Sequence, residues 1–265
     1  PMDLKIKNKV AFISGSSSGI GYATAKVLLN EGAKVYINGK NKKKLDDSTE
    51  KLKKLFPKSE IFSVCGDFLQ ENQVDEIIKK LPDIDILINN VGIYKSQSFF
   101  ETKFNDWMDP FTVNFMSGVK LSKNILPAML SKNWGRIIFI SSECAYLVPE
   151  DMIPYSVTKA SMHALSKGLA NLTKGTGVTV NVIVPGSTLS EGAEEFLTSL
   201  SKKDKISLEE VKKRFFKNVR TSSLINRFAN MEEVATTIAY FSSPLSSATN
   251  GSIIKVEGGS TSGLS

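Results

Sequence analysis

Cysteine and histidine are almost missing from these 265 residues: Cys65, Cys144 and a lone His163. Two distant cysteines without CxxC spacing exclude a disulfide framework and a zinc site, and no metal is expected. No apolar run approaches the ~20 residues of a membrane span, so no membrane partner is expected. The start, PMDLKIKNKV, lacks the apolar core of a secretory signal, and Pro1 reads as an expression remnant. A reducing, cytoplasmic setting is the expectation. The net charge of +7 comes without a finger, RRM or other nucleic-acid signature. Its lysines, as in KLKKLFPK (51–58) and VKKRFFK (211–217), lie at helical spacing beside apolar residues and read as solvated faces. No nucleic-acid partner is expected.

What is present fits a soluble globular chain, with 41% hydrophobic and 23% charged residues. Short runs rich in Val and Ile recur: KVAFIS (9–14), KVYING (34–39), EIFSVC (60–65), IDILIN (84–89), GRIIFIS (135–141), VTVNVIV (178–184) and SIIKVE (252–257). Several are apolar at successive positions, as in parallel strands buried on both faces. Helical candidates fall between them at 21–32, 73–81, 115–130 and 160–174. Seven such alternations predict a doubly wound α/β fold, a parallel seven-stranded sheet in a Rossmann-type three-layer sandwich. No linker divides the chain, so one domain over 1–265 is expected. The alternation stops at about 187–228, where EGAEEFLTSL and SLEEVKKRFFKNV suggest two helices covering a ligand.

The first strand runs into SGSSSGIGYATA, in which Gly15, Ser17, Ser18, Gly19, Ile20 and Gly21 form a phosphate-seat candidate. Glycines admit a tight turn and close approach of an anion to backbone N–H groups, and a following helix adds positive potential. The spacing G-x-x-x-G-x-G departs from the common G-x-G-x-x-G. The same letters contain G-x-S-x-G, a hydrolase nucleophile elbow centred on Ser17. That reading needs His163, which falls in the helix after Tyr155 and reads better as an ordinary helix residue.

One further absence bears on the cofactor. A dinucleotide fold holds a ribose 2′-hydroxyl with a carboxylate about 20 residues on, and a 2′-phosphate with a base. AKVYINGKNKKKL (33–45) has no carboxylate, and Lys40 follows Gly39. NADP(H) is favoured, with NAD(H) the other choice.

In IPYSVTKAS (153–161), Pro154 suits a first helical turn, and Tyr155 and Lys159 then share a face. An ammonium beside a phenol favours phenolate and is expected to lower the tyrosine pKa toward neutrality. With Ser142 thirteen residues upstream, NNVG (89–92), Asn114 and PGS (185–187), the chain resembles the short-chain dehydrogenases/reductases along nearly its whole length. Val91 stands where alanine is usual, and Met231 replaces a common proline. The resemblance implies an oxidoreductase interconverting a secondary alcohol and a ketone. It makes Tyr155 the general acid/base, Ser142 a donor to the substrate oxygen, and Lys159 a contact to the nicotinamide ribose. Asn114 would hold a relay water. Asp67, Asn90, Gly92, Pro185, Gly186 and Thr188 would line the cofactor. Asp67 and Asn114 also read as simple caps, and Cys144 as pocket lining. Ile93, Tyr94, Cys144, Tyr146, Met152 and the 196–200 helix would form an apolar substrate wall. Homotetramers or homodimers are implied. A 3-oxoacyl-carrier-protein reductase and a non-catalytic NADP(H)-binding regulator are the alternatives.

Overall fold

The computed structural model describes residues 3–263, so Pro1 lies outside the described residues. Its strands are β1 (Val10–Ile13), β2 (Lys34–Gly39), β3 (Ile61–Cys65), β4 (Ile86–Asn89), β5 (Gly135–Ile140), β6 (Val178–Pro185) and β7 (Ile253–Val256). All pair in parallel, in the order β3-β2-β1-β4-β5-β6-β7. The doubly wound seven-stranded sheet expected from the apolar runs is the one observed.

Alternation along the strands sorts the core into two layers. Ile13, Ile86, Ile88, Ile138 and Ile140 point to one face, where they meet Leu28, Val234 and Ile238. Phe12, Leu87, Ile137 and Phe139 point to the other, against Leu121, Met129 and Met162. The first layer is closed by α1 (Gly19–Asn30), α2 (Lys42–Leu55) and α10 (Met231–Phe241). The second is closed by α3 (Glu71–Lys80), α5 (Ser117–Lys132) and α7 (Ile153–Leu172). Helices on both faces cover the central strands β4, β5 and β6 completely, which is why those runs are apolar at consecutive positions, while the edge strands β3 and β7 stay partly exposed.

Strand order reverses between β1 and β4, each of which starts a chain of neighbours running outward. Ligands of open α/β sheets sit at the carboxyl ends of the strands at such a switch. There the structure departs from the sequence in detail. Helix α7 begins at Ile153, placing Pro154 in its first turn. Asn114 lies in a π-helical turn, Phe111–Met116, between α4 (Phe104–Pro110) and α5. A short helix α6 (Cys144–Leu147) follows β5. After β6 come α8 (Glu191–Asp204) and α9 (Leu208–Asn218), the two helices expected in the interruption.

Candidate functional site

The turn after β1 is shaped by two side chains that sequence reasoning passed over. Asn38 of β2 accepts the Gly15 N–H at 2.9 Å and donates to the Val64 carbonyl at 3.0 Å. Ser14 accepts the Asn90 and Val91 N–H groups at 3.0 Å each. Asn90 closes the ring, donating to the Gly15 carbonyl at 2.8 Å, so its side chain braces the turn. Gly15 has φ +61°, and a Cβ there would meet Val91 Cα at 2.8 Å. A Cβ on Gly21 would meet the Gly15 carbonyl at the same distance. Only glycine tolerates both constraints. Ser18 caps α1 with extended backbone and makes no side-chain cap bond.

That an anion fits here is seen within the chain: the Gly19 N–H donates to the Glu191 carboxylate at 3.2 Å. A helix N-terminus with free N–H groups suits a pyrophosphate in the same way. At the end of β2, Gly39 lies against Ser17, since a Cβ there would come within 3.0 Å of the Ser17 hydroxyl. Lys40 is exposed. Lys44, four residues on, donates from its ammonium to the Ser18 hydroxyl at 2.9 Å. The helical start at Lys42 brings it back over the glycine turn, which spacing alone did not reveal. Asp67 accepts the Leu69 N–H at 3.0 Å, the modest turn role that its position also allowed.

Ser142, Tyr155, Lys159 and Asn114 converge where β4 and β5 end. The Ser142 side chain lies beside the Tyr155 phenol, and the Cys144 N–H donates to Ser142 Oγ at 3.1 Å. The Lys159 ammonium is 5.5 Å from the Tyr155 ring centroid and donates to the Ile140 carbonyl at 2.8 Å. Lys159 is only 3% exposed, and burial pushes its pKa down to about 8. Gly92 lies against both Lys159 and Asn114: a Cβ there would be 3.3 Å from Nζ and 3.6 Å from the Asn114 Oδ1. Asn114 itself accepts the Ile93 N–H at 2.7 Å and donates to the Ile93 carbonyl and the Thr158 hydroxyl. Thr158 in turn donates to the Tyr155 carbonyl at 2.7 Å, so Asn114 ties the loop after β4 to the Tyr155 turn.

The expected lowering of the tyrosine pKa is reversed in the protein by itself. Burial pushes the Tyr155 phenol well above its ordinary range, and the neighbouring Ser142 hydroxyl only partly offsets this. Desolvation penalises the phenolate, and the buried ammonium is itself easier to deprotonate, which weakens its help. His163 is bonded to the Ser141 hydroxyl at 2.8 Å and lies 5.5 Å from Tyr146, away from Ser17. It is a half-buried helix residue, and desolvation lowers its pKa.

A cavity of about 130 Å³ opens beside Tyr155. Ile93 and Tyr94 line it as expected, but Lys95, Gln97, Asn105, Asp106 and Asp109 do too. Apolar surface still makes up most of its wall, as the sequence suggested, with these polar side chains set into it. Tyr146 faces Lys255 and His163. On the other side, β6 delivers Pro185 and Gly186 so tightly against β7 that a Cβ on Gly186 would meet Glu257 Cα at 2.6 Å. Thr188 then bridges Ala229, joining the two ends of the 187–229 segment. Two charged residues missed by the sequence reading complete the site: Glu143, 3% exposed, and Arg220, whose Nε donates to its carboxylate at 2.7 Å.

The family model for short chain dehydrogenases matches residues 9–200. An uncharacterized oxidoreductase of Bacillus subtilis, YvaG, is 40% identical over 97% of this chain and 98% of its own. A 3-oxoacyl-[acyl-carrier-protein] reductase of Aquifex aeolicus is 29% identical over 97% of this chain and 99% of its own. The L-sorbose reductase of Gluconobacter frateurii, solved with NADPH and L-sorbose, superposes with TM-score 0.93 at 29% identity, over 99% of this chain and 100% of that one. This chain belongs to the short-chain dehydrogenase family, and is an NAD(P)-dependent oxidoreductase of that family.

Proposed function

We propose that the chain interconverts a small hydroxylated ketone and the corresponding secondary alcohol with NADP(H). The observation that carries this reading is the convergence of Ser142 and Tyr155 with the buried Lys159 ammonium, 5.5 Å from the Tyr155 ring. Bound NADPH supplies the hydride that adds to the carbonyl carbon. Ser142 donates a hydrogen bond to the carbonyl oxygen, and Tyr155 delivers its proton to that oxygen as charge develops there. The raised phenol pKa suits Tyr155 to start as the protonated acid. Lys159, charged below about pH 8, opposes the cost of the resulting phenolate.

Gly15, Ser17, Ser18, Gly19, Ile20 and Gly21 would hold the pyrophosphate. Lys40 and Lys44 would face a 2′-phosphate, which the carboxylate-free end of β2 favours. Asp67 and Asn90 would meet the adenosine side, and Gly92, Pro185, Gly186 and Thr188 the nicotinamide side. The small cavity beside Tyr155, apolar with Lys95, Gln97, Asn105, Asp106 and Asp109 set into its wall, and the likeness to an L-sorbose reductase support a small hydroxylated substrate over a long acyl chain. The 187–228 segment would cover it within a single 1–265 unit. Exposed Phe104 and Val157 on α4 and α7 support assembly of copies through that side, measurable as mass in solution.

Following NADPH absorbance over a panel of ketoses, simple ketones and 3-oxoacyl thioesters tests the reading. Tyr155→Phe is expected to lose turnover and keep NADPH binding. Faster turnover of the acyl thioesters would favour the carrier-protein reductase alternative. No turnover with intact NADPH binding would favour a regulator.

A further inference from the structure

The catalytic turn and the 187–229 segment meet through one buried carboxylate. Glu143 follows Ser142 directly, and its backbone N–H donates to the Pro185 carbonyl at 2.9 Å. Its Oε1 accepts from Arg220 Nε at 2.7 Å and from the Ser187 hydroxyl at 2.8 Å. Ser187 is the first residue of the segment, and Arg220 follows α9 near its end. The Arg220 guanidinium also approaches Cys144 Sγ at 3.9 Å and lies 5.8 Å from the Phe215 ring. The second oxygen, Oε2, is buried without a hydrogen-bond partner among the described residues.

Nothing in the hydride and proton transfers requires this pair. A buried carboxylate with one lone oxygen is costly, and apolar residues of similar size would pack there at no such cost. The Glu143 backbone helps shape the turn that aims Ser142, since its carbonyl accepts from the Tyr146 and Leu147 N–H groups. Moving its side chain therefore moves the turn. Beyond Arg220, the Leu224 and Ile225 N–H groups both donate to the Gly258 carbonyl, at 2.8 and 3.1 Å. The exit of the segment is thus seated on β7, its entrance on Ser187, and Glu143 joins both to the reacting hydroxyls.

We propose that Glu143 and Arg220 are a positioning pair, through which one buried contact seats the substrate-covering segment and sets the aim of Ser142. The inference rests on the carbonyl-reduction reading for its catalytic consequence, and on geometry alone for its structural one. The intact chain is compared with Glu143→Gln, Arg220→Met, Arg220→Lys and the Glu143→Gln/Arg220→Met double variant. Lysyl endopeptidase reports cleavage in α8–α9 (Lys202, Lys203, Lys212, Lys213), and NADPH fluorescence reports cofactor binding.

Each single loss is expected to speed cleavage in α8–α9 about tenfold or more, as a local opening. Cleavage at Lys53 and Lys79 elsewhere stays slow. The double variant is expected to be no worse than the poorer single one, because the two residues act as a unit. Arg220→Lys restores part of the protection, and NADPH affinity stays within about threefold across the set. With any carbonyl that wild type reduces, kcat falls about tenfold or more in Glu143→Gln. Unchanged α8–α9 cleavage, additive single effects or general unfolding each overturns the pair's role. If wild type reduces no carbonyl, the functional reading fails while the cleavage result still decides the pairing. If kcat holds while cleavage rises, the proposed link to Ser142 is overturned.

Discussion

The wall bearing Ser142, Tyr155 and Lys159 and the 187–229 segment are built on opposite plans. Every residue of β5 and β6 is buried, and at the carboxyl end of β5 Ser141 donates to the Lys159 carbonyl while the Lys159 ammonium donates to the Ile140 carbonyl. The segment buries little more than Leu197 of α8, Val211 and Phe216 of α9 and Ala229 at its end, and leaves Phe196 57% and Leu224 83% exposed. Proton transfer needs fixed distances, and a packed sheet supplies them. Choosing and enclosing a substrate needs a surface that can adjust, and elements with few buried contacts open at low cost. The molecule separates the two tasks by where it spends its apolar residues.

The largest expected effect lies in the wall. Tyr155→Phe should cut the rate of carbonyl reduction by roughly 10³-fold with NADPH affinity nearly unchanged, read by NADPH oxidation and by fluorescence titration. A mutant that keeps its rate would mean the fixed wall is not the reacting one. Gly21→Ala forces a Cβ to within 2.8 Å of the Gly15 carbonyl. A loss of about tenfold or more in NADPH affinity is expected, measured by the same titration.

Rigidity in the wall also has a thermodynamic signature. The Lys159 pKa lies near 8 in the folded chain, against 10.5 ordinarily. The unfolded chain therefore binds more protons between those values, so stability rises with pH across that window. Below pH 8 the buried charge is a full burden. Lys159→Met should stabilise the fold at pH 7 by on the order of 3 kcal/mol at most, and by less at pH 10, in urea unfolding at both values. Equal shifts at the two pH values would show that the charge is not what strains this wall.

Smaller effects belong to the cofactor edge and the segment. Lys40→Ala and Lys44→Ala are each expected to lower the preference for NADPH over NADH by several-fold, more at low salt than at high, in paired titrations. A preference for NADH in wild type would refute the choice of cofactor. Phe196→Ser should change stability by less than about 0.5 kcal/mol, since the ring is already exposed. A larger loss in urea unfolding would mean the segment is packed as firmly as the wall.

The seven strands were readable because each is a contiguous apolar run, and the glycine turn because its letters adjoin the first one. The catalytic residues needed the resemblance, since Tyr155 and Lys159 at helical spacing are otherwise an ordinary pair. The α2 helix was harder to read: only Leu45, Ser48, Thr49 and Leu52 are buried in a lysine-rich stretch. Asn38, Lys44, Glu143 and Arg220 carried no local signal at all. Asn38 is polar in an apolar strand because it faces the Gly15 N–H, which lies 23 residues away in the chain.

Sequence by itself determined the layering, because burial on two faces is written locally, in which neighbours are apolar. It also marked an anion-seat candidate, because glycines at short spacing beside a strand are written locally, whereas Tyr155 and Lys159 stood out only through the resemblance. Tertiary structure alone decided that charged side chains enter the cavity beside Tyr155, that Tyr155 is harder to ionise in the protein by itself, and that Glu143 meets Arg220 77 residues on. Those outcomes depend on which distant side chains share a dry space, and desolvation and pairing act through space regardless of order along the chain.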